Sequence, residues 1–345
     1  MTYPAPDRVS TVAVVGAGTI GASWAAWFLT RGCAVRVSDP APERDAFVRS
    51  YIGKAWPALA RIGAAREPDP APALTRLTFH AEPEEAVGPA EMVQENVLEQ
   101  LELKRAILKC IDAALPADRL IASSTSGLEA SELQRDMVRP DRLVIGHPFN
   151  PPHLIPLVEV VGGRHTDAAA IDWAMAFYRA VGKRPIQLRK EVPGHLANRL
   201  QVALWREAIH LVAEGVASVE DVDAAIAYGP GLRWALMGPH MTFHLGGGEG
   251  GMRHFVDHLG LALTGWWESL GRPDLTPAVK DMLVAGIADA VGPRSFGELV
   301  EERDRKFLDI LDVFGLARDR DAAAPGGAPS QHPPPPTADA HDARS

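Results

Sequence analysis

Hydrophobic positions in the first half of the chain fall into short, nearly continuous apolar blocks at residues 11–15, 34–38, 92–97, 120–123 and 143–145. Between them lie stretches at 23–30, 101–114 and 129–137 whose apolar residues recur at helical spacing. Strands that are apolar throughout and alternate with helices predict a parallel sheet covered on both faces. A further block at 157–161, a helical pattern at 168–181 and a block at 185–188 extend the sheet. After Pro193 the texture changes. Leu196, Leu200, Leu204, Ala208 and Leu211 recur every three or four residues, as the buried face of a helix requires. The expected class is therefore α/β followed by an all-α C-terminal domain, with residues 1–190 in the first and 191–318 in the second. Six prolines fall between Pro325 and Pro336, and no Leu, Ile, Val, Met or aromatic residue follows Leu316. A segment without apolar side chains to bury cannot offset its ordering entropy, so 319–345 is expected to be a disordered tail.

Composition agrees with two ordinary globular cores: 345 residues, 46% hydrophobic and 23% charged. Lys and Arg number 35 against 44 Asp and Glu, a formal charge of -9 that disfavours nucleic acid or an anionic membrane as partner. No apolar run reaches membrane-spanning length, and the opening MTYPAPDRVS lacks the apolar core of a secretion signal. With only Cys33 and Cys110, both read as small hydrophobic residues, a reduced cytoplasmic setting is expected. The pairs His240/His244 and His254/His258 have the spacing of two imidazoles on one helix face. They lack the third ligand and adjoining carboxylate of a zinc motif, so no metal is expected.

The first apolar block runs directly into Gly16-Ala17-Gly18-Thr19-Ile20-Gly21 and then a helical pattern. In this setting Gly16 permits the tight turn, Gly18 lets the backbone approach a pyrophosphate, and Gly21 lets helix and strand pack closely. The N–H groups at the helix start, including Thr19 and Ile20, face the phosphates. Asp39 follows Gly21 by 18 residues, at the end of the next block. A carboxylate there accepts from the adenosine ribose hydroxyls and repels a 2′-phosphate, which selects NAD and marks the first domain as a Rossmann-type doubly wound sheet.

Four more segments place polar residues at strand ends or helix starts: Ser123-Ser124-Thr125-Ser126, Gly146-His147-Pro148-Phe149-Asn150-Pro151, Val158-Glu159-Val160 and Pro193-Gly194-His195-Leu196-Ala197-Asn198-Arg199. Oxidising an alcohol with NAD needs a base for the hydroxyl proton, which suits a histidine. A carboxylate on its other ring nitrogen would fix the tautomer, and Glu159 is a candidate.

With GAGTIG, SSTSGL, GHPFNPP, LVEVV and PGHLANRL in this order, residues 10 to 315 resemble the 3-hydroxyacyl-CoA dehydrogenase superfamily. That resemblance implies His147 as base and Glu159 as its orienting carboxylate. Ser126 and Asn198 would contact the reacting oxygen, and Glu95 and Asn96 would lie near the nicotinamide. It also implies a homodimer formed through the helical domain.

Two segments bear on the branch. The stretch at 61–76 is short and contains no lysine, where CoA-binding members carry a Lys-rich excursion. YGPGLRWA at 228–235, followed by GGGEGGMRHF at 246–255, resembles the carnitine-dehydrogenase branch, and more distantly the lambda-crystallin/L-gulonate 3-dehydrogenase branch. By that resemblance Arg233 or Arg253 would clamp a carboxylate, and Trp234, Phe243 and Phe255 would face a quaternary ammonium. The substrate is then a small 3-hydroxy acid. Another 3-hydroxy acid such as gulonate, a 3-hydroxyacyl-CoA, or a non-catalytic crystallin-like role remain open.

Overall fold

The computed structural model describes residues 3–313, so the tail expected at 319–345 lies outside the described residues. The α/β part runs β1 (Thr11–Val15), α1 (Thr19–Thr30), β2 (Ala34–Ser38), α2 (Glu43–Arg61), α3 (Ala71–Leu74), β3 (Leu77–His80), α4 (Pro83–Val87) and β4 (Met92–Glu95). It continues through α5 (Leu101–Ala114), β5 (Leu120–Ser123), α6 (Ala130–Leu133), β6 (Leu143–Pro148), β7 (Leu157–Gly162), α7 (Ala168–Ala180) and β8 (Arg184–Gln187). Among the described residues only helices follow: α8 (Ala197–Ala213), α9 (Val219–Ala227), α10 (Pro230–Leu236), α11 (Pro239–Gly246), α12 (Gly251–Ser269), α13 (Pro277–Val291) and α14 (Phe296–Val313).

The eight strands form one sheet in the order β3-β2-β1-β4-β5-β6-β7-β8. The chain winds outward from β1 to β3, then returns to β4 on the other side of β1. Strand order therefore reverses between β1 and β4, and this switch point opens the crevice where dinucleotides bind. Two elements were not anticipated. β3 pairs only with β2 and buries one of its four residues, so it lacks the apolar run of an inner strand. In α2 the buried Val48, Ile52, Ala55, Trp56 and Leu59 keep helical spacing, but Pro57 lies inside the helix and obscures the pattern.

The expectation of a parallel sheet fails at one pair. β7 runs antiparallel to β6, with His147 directly opposite Glu159, while β8 is parallel to β7. The connection from Pro148 to Leu157 is too short for the crossover that a parallel pair demands.

One apolar layer fills the space between the sheet and α1, α2 and α7, with Trp24, Phe28, Ile52, Leu59, Phe177 and Tyr178 at its centre. Leu308 and Leu311 of α14 join it, and Arg61 of α2 pairs with Asp309 of α14. The second layer, under α4, α5 and α6, contains Leu108, Ile111 and Leu133. α8 to α13 bury far less: Ile209 and Val212 on α8, Thr242 on α11 and Gly251 on α12. No helix among the described residues is long and apolar enough to cross a membrane.

Candidate active site

Gly16 directly follows β1 with φ +94°, and a Cβ there would lie 2.7 Å from the Asn96 backbone. A Cβ on Gly21 would lie 1.9 Å from the Gly16 carbonyl oxygen, so only glycine allows α1 to start this close to the strand. Gly18 is the N-cap of α1 and no side chain caps the helix, which leaves the N–H groups of its first turn, at Thr19 and Ile20, for an anion. A Cβ on Gly18 would meet nothing within 4 Å, so the space before the helix is open. Asp39 Oδ2 accepts the Ala17 N–H at 2.9 Å, and Oδ1 accepts that of Ala41 at 3.1 Å. The carboxylate is thereby fixed beside the glycine turn with lone pairs remaining for hydroxyl donors. An open anion cradle with an anchored acid next to it fits NAD.

Across the crevice, His147 Nδ1 lies 2.8 Å from Glu159 Oε2, and both side chains are buried. The antiparallel register makes this contact, because directly opposed residues project their side chains to the same face. The other carboxylate oxygen, Glu159 Oε1, accepts the N–H groups of Leu196 at 2.9 Å and Ala197 at 2.8 Å. Leu196 is the N-cap of α8, so the carboxylate that holds His147 also satisfies the first donors of the helix carrying Asn198. Burial opposes the charge on Glu159, but the bonds from His147, Ala197 and Leu196 outweigh it and hold the carboxyl below the usual range.

Ser126 lies on the exposed loop after β5, clamped from two sides. Asn198 Nδ2 donates to the Ser126 carbonyl at 3.1 Å. Glu99 Oε1 accepts from the Thr125 hydroxyl and from the N–H groups of Ser126 and Gly127. Burial also opposes the charge on Glu99, but the Thr125 hydroxyl, the Lys104 charge 3.5 Å away and the two N–H groups outweigh it. Sequence reading missed Glu99, which has no local pattern to separate it from a surface acid.

The sequence pattern points to Glu95, but the structure turns that carboxylate away from the crevice. Glu95 is fully buried: Oε1 accepts Lys104 Nζ at 2.8 Å and the Val97 N–H at 2.6 Å, while Oε2 accepts the Ser123 hydroxyl. Its carboxylate faces inward because an interior lysine needs a counter-charge. Asn96 does reach the crevice, with its backbone against Gly16 and its Oδ1 accepting the Ser124 hydroxyl at 2.7 Å.

The substrate candidates form a separate group. Arg233 and Trp234 are exposed on α10, and Arg253 on α12 pairs with Asp257 of its own helix at 3.7 Å. Phe255 stacks on Phe243, ring centroids 4.7 Å apart. Among the described residues, no hydrogen bond, ion pair or ring contact joins these side chains to His147, Ser126 or Asn198. Ala235 of α10 does share an apolar cleft with Ile155 and Pro156, in the loop that follows the His147 strand.

Comparison with known proteins gives consistent results. Residues 11–192 match the profile of the 3-hydroxyacyl-CoA dehydrogenase NAD-binding domain, and 194–273 that of the 3-hydroxyacyl-CoA dehydrogenase C-terminal domain. L-carnitine dehydrogenase of Streptomyces griseus is 52% identical over 93% of this chain and 95% of its own length. That of Pseudomonas aeruginosa is 47% identical over 89% and 94%. Among solved structures, an NAD+-dependent 5-formyl-3-hydroxy-2-methylpyridine 4-carboxylic acid 5-dehydrogenase superposes with a TM-score of 0.73 at 30% identity, over 91% of this chain and all of the other. (S)-3-Hydroxybutyryl-CoA dehydrogenase of Ralstonia eutropha gives 0.62 at 26%, over 81% of this chain and 95% of the other. A dinucleotide crevice at the switch point, a His–Glu pair across it and matches to both family domains place this chain in the 3-hydroxyacyl-CoA dehydrogenase family, as an NAD-dependent dehydrogenase.

Proposed function

We propose that this enzyme oxidises the 3-hydroxyl of L-carnitine to 3-dehydrocarnitine. The observation that carries the chemistry is the His147–Glu159 pair, set beside the Ser126 loop and the start of α8. Glu159 accepts from Nδ1, so the other ring nitrogen of His147 is the proton acceptor. His147 takes the hydroxyl proton there, and Glu159 stabilises the imidazolium that results. The Ser126 hydroxyl and the Asn198 amide hold the substrate oxygen. Gly16, Gly18, Thr19, Ile20 and Gly21 would hold the pyrophosphate of NAD and Asp39 its ribose, with Asn96 and Glu99 toward the nicotinamide end. NAD supplies the acceptor for the hydride leaving C3.

Carnitine is favoured by likeness to L-carnitine dehydrogenases over nine-tenths of the chain and by the short segment at 61–76, which lacks the lysines that CoA-binding members carry there. In this reading Arg233 or Arg253 takes the carboxylate, and Trp234 and Phe255 face the trimethylammonium. Residues 1–190 form the NAD-binding domain and 191–318 the substrate and dimerisation domain. A second copy covers the apolar faces of the helical half, where Trp205, Trp266 and Trp267 are more than half exposed. Two unpaired cysteines suit a reducing cytoplasm.

NADH formation from a substrate panel tests the assignment. Turnover of L-carnitine with none of 3-hydroxybutyryl-CoA or gulonate is expected, and the reverse order would overturn it. His147→Gln is expected to lower kcat by about 10²–10⁴ while leaving NAD affinity nearly unchanged. Full activity in that variant removes His147 as the base.

A further inference from the structure

The PGHLANR segment contains a residue that neither the dyad nor the oxygen contacts account for. His195 is the one non-glycine with positive φ (52°) among the described residues, and it follows Gly194, itself at 76°. A left-handed conformation is costly for a residue with a Cβ and persists where the surroundings enforce it. Here it directs the imidazole inward, to 1% exposure. His195 Nε2 lies 3.0 Å from the Thr125 carbonyl oxygen. A carbonyl only accepts, so Nε2 carries the proton, and Nδ1 of the neutral ring is left with a bare lone pair. Nδ1 is buried and has no hydrogen-bond partner. Its ring centroid is 5.1 Å from that of His147, which Phe149 meets edge-on at the same distance.

The ionisable groups around this ring are His147 on β6, Glu159 on β7 and Glu99 before α5. Burial first, and then the charge that His147 can carry, push the His195 pKa down. The Thr125 carbonyl, Glu159 and Glu99 oppose that shift without cancelling it. Two imidazoles in one dry volume cannot both be charged at little cost, so one charges while the other stays neutral.

We infer that His195 is a positioning residue for the proton transfer: its fixed neutral tautomer keeps a lone pair near His147, favouring the imidazolium formed there, while its Nε2–H anchors the loop bearing Ser126. An apolar ring at this position would pack against His147 but would supply neither the lone pair nor the anchor. No proton moves to His195; the hydroxyl proton stays on His147. The inference rests on His147 being the base.

The test is the acid limb of kcat/KM against pH, together with nitrogen NMR of the histidine side chains in the wild-type enzyme. His195→Phe keeps a ring and removes both nitrogens. Its acid limb is expected to move to lower pH by about half a unit or more, with kcat falling more than KM changes. His195→Asn tolerates the left-handed backbone and retains a donor and an acceptor, so its limb is expected to lie closer to wild type. In the wild-type spectra His195 is expected to remain the neutral Nε2–H tautomer while His147 titrates. An unmoved limb in His195→Phe, or protonation of His195 before His147, overturns the inference. If His195→Phe does not fold, the wild-type spectrum decides alone. Loss of turnover in His147→Gln together with an unmoved His195→Phe limb overturns only this inference. Turnover retained in His147→Gln overturns the base on which it rests.

Discussion

α5 and α12 are both amphipathic helices, but they complete their apolar faces differently. α5 lies under the sheet and buries Leu108 and Ile111 completely. α12 is longer and carries Phe255, Leu259, Leu261, Leu263, Trp266 and Trp267, yet its one buried residue is Gly251. The same contrast holds across the molecule. The α/β half closes two core layers around its sheet, whereas α9, α10 and α13 bury no residue at all. A helical period shows that a face will be buried but not what will bury it. In the α/β half the answer is the sheet of the same chain; in the helical half the described residues leave most of that face exposed, and the second copy proposed above would cover it.

That contrast can be broken experimentally. Trp24, stacked on Phe28 at 5.1 Å and fully buried, should cost about 3–5 kcal/mol when replaced by Ala, at any protein concentration. Urea unfolding at two concentrations checks this. Trp267→Glu should cost about 2–4 kcal/mol, but only through association. Light scattering should show a smaller particle and a melting temperature that depends on concentration. A variant with wild-type mass and stability would mean that no second copy covers this face.

A third difference is in pH response. His153 is buried in the connection between β6 and β7, bonded to Ser23 at 2.8 Å. Burial, then the charges of Lys183 and Arg303, push its pKa down to about 3. Below the unfolded value near 6.5 the unfolded chain binds a proton that the folded chain refuses, so stability is full above that pH and falls as pH drops toward 3. Between pH 7 and 5 the wild type should lose about 2 kcal/mol that His153→Gln does not. Equal losses in both would show that His153 is not held neutral. The smallest effect concerns the cofactor. Asp39→Ala should weaken NAD by about 1–2 kcal/mol and relax discrimination against NADP, measured by titration with both; unchanged preference would remove its ribose role.

The cofactor turn was legible in the sequence because its function is local: Gly16, Gly18 and Gly21 are needed within six residues of one strand end. His147 and Asn198 stand in short motifs, and their proposed roles come from the family resemblance those motifs carry. Glu95 misled because an acid at a strand end looks the same whether it faces a crevice or a lysine, and the inward turn depends on Lys104, nine residues away. Glu99 was overlooked because its partners, Thr125 to Gly127, sit on a different loop. His195 was only one residue of a motif, since its importance lies in a backbone angle and an unpartnered atom.

Legible in the sequence alone were the alternation of strands and helices, the glycine turn between β1 and α1, the acid at the end of β2 and the residue types proposed for proton transfer. These follow from short-range periodicity and the fixed demands of phosphate and proton chemistry. Tertiary structure alone decided that β7 turns back against β6, so that Glu159 faces His147 with one oxygen and the first donors of α8 with the other. It also decided that Glu95 is buried against Lys104, while Glu99, on the other side of that lysine, holds the Ser126 loop. Those outcomes depend on strand direction, register and side-chain direction between separate elements, where a single reversal changes which side chains meet.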